Sequence, residues 1–122
     1  MKRLLYLLVA AAAVTATVIV VAPFAAAHPA AKQKTTTINV IAKEYKFILS
    51  KKSAPAGVVI FKVVNKGKIA HDFKINGKKT PNIKPGKSAK PLKVTLKKGK
   101  YPYKCTIDSH ALFGMKGTFK VT

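Results

Sequence analysis

The sequence predicts an all-β domain, a Greek-key antiparallel sandwich or barrel, preceded by an apolar N-terminal signal or anchor helix. Three observations support this prediction. Apolar and polar residues alternate along several short segments, which is typical of half-buried strands. Glycine, proline and asparagine separate those segments and indicate turns. After the first apolar run no stretch has the period of an amphipathic helix, which favours an all-β fold over a mixed one.

The first residues have the organisation of an export signal. A positive start, Met1 to Arg3, precedes an almost wholly apolar run over residues 4–27 that ends in three alanines. This order indicates a secretory signal, with cleavage expected before His28. The run is also long enough to span a bilayer, so an uncleaved membrane anchor is the alternative. Both alternatives place the rest of the chain outside the cytoplasm, in a periplasmic, cell-surface or secreted location.

The remainder is predicted to hold one domain. With residues 1–27 as signal or anchor, the small and polar residues 28–36 indicate a flexible linker. Residues 37–122 then form a β-rich domain that can bury one modest core. The alternating sets are Ile38/Val40/Ala42, Tyr45/Phe47/Leu49, Val59/Phe61/Val63, Leu92/Val94/Leu96 and Phe119/Val121. The turns between them are predicted at 55–57, 65–67, 76–77, 85–86 and 97–99.

Three features of the predicted strands bear on function. Tyr101 follows the turn at Gly99, as in a tyrosine corner, which ties a Greek-key connection to the sheet. Tyr101, Tyr103 and Cys105 lie at alternate positions, so they share one strand face, which we expect to point inward. His71 falls between two turn signals, on a further predicted strand.

The charge is strongly positive. The formal net charge is +21, and every basic residue after Arg3 is a lysine, set against only Glu44, Asp72 and Asp108. Such a field attracts anionic partners, which include acidic proteins and anionic membrane or wall polymers. The absence of arginine from the domain argues against bidentate reading of bases, so we do not expect a nucleic-acid partner. The lysines are spread along the domain, and a solvated, soluble surface explains them equally well.

Cys105 is the only cysteine, which excludes an internal disulfide. In an oxidising compartment a lone thiol is buried, paired with another molecule or bound to a metal. His110 and Met115 follow at the spacing Cys-x4-His-x4-Met, and His71 lies far upstream. In a sandwich, residues distant in sequence can meet at one end of the sheets.

Together these four residues offer a thiolate, two imidazoles and a thioether. A trigonal set of two histidines and a cysteine with a weak axial methionine is a blue-copper site. Zinc is disfavoured because methionine is not among its usual ligands. A cysteine nucleophile would need an accessible, activated thiolate and an oxyanion hole, which an inward-facing cysteine at a strand end does not suggest. Each residue alone also has an ordinary structural role, so the prediction depends on the four occurring together.

The stretch GKYPYKC, the Cys-x4-His-x4-Met spacing and the upstream histidine resemble the cupredoxins, blue copper proteins such as plastocyanin and azurin. The spacing of the ligand loop is similar to that of the auracyanin-like small bacterial members. The resemblance covers residues 37–122. It implies one type 1 copper per chain, with His71, Cys105 and His110 as equatorial ligands and Met115 as the axial ligand.

The resemblance also implies a function. We expect an exported carrier of single electrons, not an enzyme, and the alternative is an extracytoplasmic copper carrier or scavenger for delivery or homeostasis. The edge of His110 would reach the surface, with residues 111–114 forming an apolar patch beside it. We expect a monomer whose acidic redox partner docks there transiently, while the lysines steer that partner or hold an anionic membrane or wall polymer.

The sequence departs from the family at one position. Family members have an asparagine after the first histidine ligand, and this chain has Asp72. We expect Asp72 to accept a hydrogen bond from Thr106, the residue that follows Cys105. Its negative charge should favour Cu(II) and lower the reduction potential.

Overall fold

The computed structural model describes residues 11–22 and 32–122. All of its strands lie within the unit Ala31–Thr122. They are β1 (Thr35–Lys43), β2 (Lys46–Leu49), β3 (Ser53–Ala54), β4 (Gly57–Asn65), β5 (Lys74–Ile75), β6 (Lys78–Lys79), β7 (Leu92–Leu96), β8 (Gly99–Lys104) and β9 (Lys116–Val121). One sheet has the order β2-β1-β4-β7 and the other β3-β9-β8-β5-β6. The all-β prediction is confirmed.

The predicted N-terminal helix is not shown by the structure. Residues 11–22 are exposed and form neither helix nor strand. The rest of the predicted signal, the cleavage position before His28 and residues 28–31 of the predicted linker lie outside the described residues. Strand β1 begins at Thr35, within that linker. Among the residues described, there is no helix with the length and apolar character needed to span a membrane.

The prediction of purely antiparallel pairing was wrong, because both sheets are mixed. Strand β1 runs parallel to β4 over eight paired positions, and β3 runs parallel to β9. After the antiparallel β1–β2 hairpin, the chain crosses to the second sheet for β3 and returns as β4 alongside β1. Alternation in sequence decides which face of a strand is buried, but it carries no information about the direction of the neighbouring strand.

The alternation itself predicts the core well. Ile38, Val59 and Phe61 are fully buried between the sheets, whereas Lys62, at an intervening position, is exposed. The ring of Phe61 packs against Phe73 and Phe119, with ring centroids 5.1 and 5.4 Å apart. Full burial of an aromatic or aliphatic side chain contributes about 1.5–3 kcal/mol. This tightly packed core supports the predicted ligand residues.

The tyrosine corner is confirmed. The hydroxyl of Tyr101 donates a hydrogen bond of 2.7 Å to the carbonyl of Lys97, at the start of the turn between β7 and β8. The bond ties the start of β8 to the connection that precedes it. Tyr103 and Cys105 follow on the same inward side and are 7% and 1% exposed.

His71 does not lie on a regular strand, contrary to the prediction. It forms an isolated antiparallel bridge with Ile83, in which His71 N–H donates to Ile83 O (3.1 Å) and Ile83 N–H donates to His71 O (2.7 Å). The amide of Asn65, at the end of β4, donates to the carbonyls of Ile69 and Ile83, both at 2.7 Å. Side-chain bonds therefore hold this connection in place where a sheet ladder does not.

Candidate metal centre

The fold brings three of the four predicted ligands into direct contact. The donor atoms of His71, Cys105 and His110 all lie within 4.8 Å of one another. Nδ1 of His71 is 3.3 Å from Nδ1 of His110, which is 3.5 Å from Sγ of Cys105. Two donors bound to one ion at usual metal–ligand distances lie about 3.3–3.6 Å apart. The spacing of these atoms therefore fits a shared metal ion.

Met115 is tied to the same cluster through its backbone. Cys105 N–H donates to the Met115 carbonyl (3.0 Å), and Met115 N–H donates to the His110 carbonyl (3.1 Å). The loop from Cys105 to Met115 is thus closed on itself between β8 and β9. Met115 is fully buried. The four predicted site residues are held together by a short, internally bonded loop and the His71 bridge.

The chemistry of the donor set favours copper. A cysteine sulfur, two imidazole nitrogens and a nearby thioether form a soft, mixed set suited to copper. These side chains are between 0% and 6% exposed, so they are largely shielded from water. Burial raises the pKa of the Cys105 thiol, which keeps it protonated while no cation is near. Binding of a metal to this sulfur would therefore release a proton.

Asp72 supports the cysteine side of the site, as the sequence predicted. Its fully buried carboxylate accepts a hydrogen bond of 2.6 Å from Thr106 N–H and a second one from the Thr106 hydroxyl. Lys79 Nζ lies 3.7 Å from the same carboxylate. Asp72 directly follows His71 and Thr106 directly follows Cys105. These bonds therefore fix the two predicted ligands relative to each other.

Glu44 supports the histidine side, and sequence reasoning missed it. Its Oε1 lies 3.3 Å from His71 Nε2 and accepts hydrogen bonds from the backbone N–H groups of Lys68 (2.6 Å) and Ile69 (2.9 Å). Backbone N–H groups, first its own and then those of Ile69 and Lys68, lower the pKa of Glu44 from 4.5 to about 2. The ionised carboxylate favours a proton on Nε2, which leaves the Nδ1 lone pair free to face a metal. The sequence feature that could have drawn attention to Glu44 is the rarity of acidic residues in this lysine-rich chain.

An aromatic group covers the other histidine. The ring of Tyr45, in the β1–β2 turn, lies 5.2 Å from the ring of His110 and 5.0 Å from that of Phe113. Tyr45 was predicted on a strand, and it lies just before one.

Leu112 and Phe113 are 83% and 65% exposed, so the predicted apolar patch at residues 111–114 is on the surface. His110 itself is only 6% exposed.

Comparison with known proteins gives a family match. A family profile described as a cupredoxin-like domain matches residues 16–121. A comparison with curated proteins finds no match.

Three solved structures are similar to the chain. Reduced auracyanin from the photosynthetic bacterium Roseiflexus castenholzii has a TM-score of 0.63 and 20% identity, over 71% of this chain and 97% of its own. Auracyanin A, a blue copper protein from Chloroflexus aurantiacus, has a TM-score of 0.59 and 16% identity, over 73% and 100%. Rusticyanin from Thiobacillus ferrooxidans has a TM-score of 0.58 and 22% identity, over 72% and 80%. At these identities the likeness establishes a shared fold.

Proposed function

The chain belongs to the cupredoxin-like family, and we propose that it is an exported carrier of single electrons that binds one copper ion through His71, Cys105, His110 and Met115. The observation that carries the proposal is the convergence of one sulfur and two imidazole nitrogens within 4.8 Å. Copper bound by such donors exchanges one electron between Cu(II) and Cu(I).

The surroundings of the site suit electron transfer. The Asp72–Thr106 bonds, the Cys105–Met115 backbone bond and the Glu44–His71 contact restrain the predicted ligands from several sides. Restrained ligands move little when the charge at the site changes, which keeps the cost of transfer low. The near-complete burial of the donors supports a closed site, at which substrate chemistry is not expected. We therefore propose that the protein is not an enzyme.

The proposed partner is an acidic redox protein that docks transiently near His110. Exposed Leu112 and Phe113, with Tyr45 beside them, supply an apolar surface next to a predicted ligand. Small interfaces of this kind suit short-lived contact, and a monomer is sufficient for it. The lysines would steer the acidic partner or hold the protein at an anionic membrane or wall polymer. The apolar run at residues 4–27 is the basis for proposing export.

A copper titration tests the function. Cu(II) is added to the purified protein while the visible absorption spectrum is recorded. We expect a strong thiolate-to-copper band that saturates at one copper per chain, bleaches with ascorbate and returns on reoxidation. A colourless product would refute the copper site. Copper that binds in one oxidation state only, and passes to a chelating acceptor, would support a copper carrier or scavenger instead.

A further inference from the structure

The register of the second sheet gathers lysines that are far apart in sequence. Lys79 pairs with Lys74 across β6 and β5, Lys74 with Lys104 across β5 and β8, and Lys104 with Lys116 across β8 and β9. All four are exposed. They form one row across four neighbouring strands, here called the lysine row.

Further positive charge lies on the same face. Lys100 pairs with Lys120 farther along β8 and β9, and the pair Pro102 and Thr118 lies between them and the lysine row. Among the described residues, Asp72 beside Lys79 is the only carboxylate within 4 Å of any of these six lysines. The outer face of β5, β8 and β9 is thus strongly cationic, with a strip of short side chains through its middle.

The other sheet is different. Outward positions of β1 and β4 include Ile41, Ile60 and Val64, which are partly buried; Lys62 pairs with Asn39 and Lys93 pairs with Ile60. This sheet has one direct lysine–lysine pair, Lys43 with Lys46 across β1 and β2, and none joins β1, β4 and β7. An unbroken row of lysines over four strands therefore occurs on one face only of the described sheets.

Like charges directly opposite each other destabilise a sheet. A solvated strand needs only polar side chains at these positions, and threonine, as at Thr118, would satisfy that need. A row of lysines therefore lowers stability while it raises the local positive potential. This combination is expected of a surface that binds an anion.

We propose that the lysine row is the docking surface for an acidic segment of a protein partner. This inference rests on the proposed electron-carrier function, which is the reason to expect a redox protein as the partner. Lys104 directly precedes Cys105 and Lys116 directly follows Met115, so a partner seated on the row lies beside two of the predicted ligands. A membrane or wall polymer would gain nothing from that placement.

The shape of the surface agrees with this assignment. An open groove lies on the same face, lined by Asn76, Gly77, Pro102, Thr118 and three lysines of the row, Lys74, Lys104 and Lys116. An extended acidic segment can lie in the groove with its carboxylates against the ammonium groups. Such contact forms quickly and weakens with salt. The lysine row is distinct from the apolar patch at residues 111–114, which excludes water and contributes little charge.

The test compares two triple variants that lose the same charge. The row variant is Lys74→Gln, Lys104→Gln and Lys116→Gln, and the control is Lys46→Gln, Lys62→Gln and Lys93→Gln on the other sheet. Poly-L-glutamate is titrated into isotope-labelled, copper-free protein at low salt and followed by NMR. We expect the row variant to bind about tenfold more weakly and the control less than about threefold, since local charge dominates over net charge. In the unsubstituted protein, the largest shift changes should fall on β5, β8 and β9.

Equal loss in the two variants would overturn the proposal, because net charge would then explain binding. Vesicles of phosphatidylglycerol and phosphatidylcholine are titrated in parallel. If the row variant loses vesicle binding but keeps poly-glutamate binding, the surface binds membranes and the proposal is wrong. Thermal melting checks folding, and removal of opposed charges should raise the melting temperature of the row variant. Copper is absent throughout, so a negative result here leaves the copper titration unaffected.

Discussion

Glu44 Oε1 lies 3.3 Å from Nε2 of His71, while Nδ1 of the same ring lies 3.3 Å from Nδ1 of His110. One imidazole thus joins the β1–β2 turn to the centre of the candidate copper site. The next residue in that turn, Tyr45, packs against His110. The turn therefore contacts both predicted histidine ligands, although none of its residues is a ligand.

Replacement of Glu44 should weaken copper binding. Loss of a hydrogen-bond partner behind a histidine ligand typically costs 10–100-fold in metal affinity. We expect Glu44→Ala to lose about tenfold, measured by competition with a chelator, and to alter the electron paramagnetic resonance spectrum of the Cu(II) form. Glu44→Gln keeps an oxygen acceptor and should recover part of the loss. Equal affinity in all three proteins would show that Glu44 does not position His71.

Acid should destabilise the copper-free domain through the same carboxylate. The pKa of Glu44 is about 2 in the folded protein and 4.5 ordinarily, so its stabilising effect is complete above pH 4.5. That effect is lost as the pH falls from about 4.5 to about 2. Urea unfolding at successive pH values measures it, and Glu44→Gln should flatten the curve in this window. A variant curve as steep as that of the original protein would refute the assignment.

Asp72→Asn should raise the reduction potential. An asparagine keeps an oxygen that accepts from Thr106 N–H, but it removes a buried negative charge that favours Cu(II). One charge at an effective dielectric constant of about 20 acts with about 1–2 kcal/mol over roughly 10 Å, so we expect a rise on the order of 50 mV. Voltammetry measures the change, and exposed Asp108→Asn, in the ligand loop, is the matched control. A fall in potential would contradict this account.

Met115→Leu should keep copper and raise the potential. A thioether is a weak axial ligand, and leucine replaces it with an apolar group of similar size. A tenfold change in the relative stability of the two oxidation states corresponds to about 59 mV for one electron, and we expect a rise of about that size. The copper content and the potential are measured together. Complete loss of copper would show that Met115 is not a weak axial ligand.

Cys105→Ser should abolish the visible band, because the colour arises from charge transfer between thiolate and copper. The spectrum of the Cu(II)-loaded variant checks this directly. Ser109→Ala, an exposed position in the same loop, should leave the band intact. A coloured Cys105→Ser protein would remove Cys105 from the site.

The sequence predicts which face of a strand is buried better than it predicts which strands pair. Period-two alternation correctly placed Phe61 inside and Lys62 outside, and the turn at Gly99 correctly predicted the Tyr101 corner. The alternation did not predict the parallel β1–β4 pair, because a strand shows the same alternation whether its neighbour runs parallel or antiparallel to it. The bridge at His71 was also missed, since its restraint comes from Asn65 and Ile83 and not from a strand pattern.

The spacing of Cys105, His110 and Met115 predicted the loop of the candidate site, since short loops keep their residues close. Glu44 lies 27 residues before His71, and only the fold brings the two together. The lysine row is a similar case. Its members lie in separate segments of sequence, and the register of four strands sets them side by side.

The last strand, β9, lies between β3 and β8 rather than at an edge of its sheet. A chain that emerges gradually, from a ribosome or through a translocation pore, therefore cannot complete the second sheet until residues 116–121 are free. The loop from Cys105 to Met115 comes immediately before that strand. The bond from Cys105 N–H to the Met115 carbonyl continues the β8–β9 pairing, so the candidate site is complete only when β9 has docked. A chain that has emerged only as far as Met115 lacks this neighbouring strand, so copper binding at the candidate site is expected only after β9 has emerged.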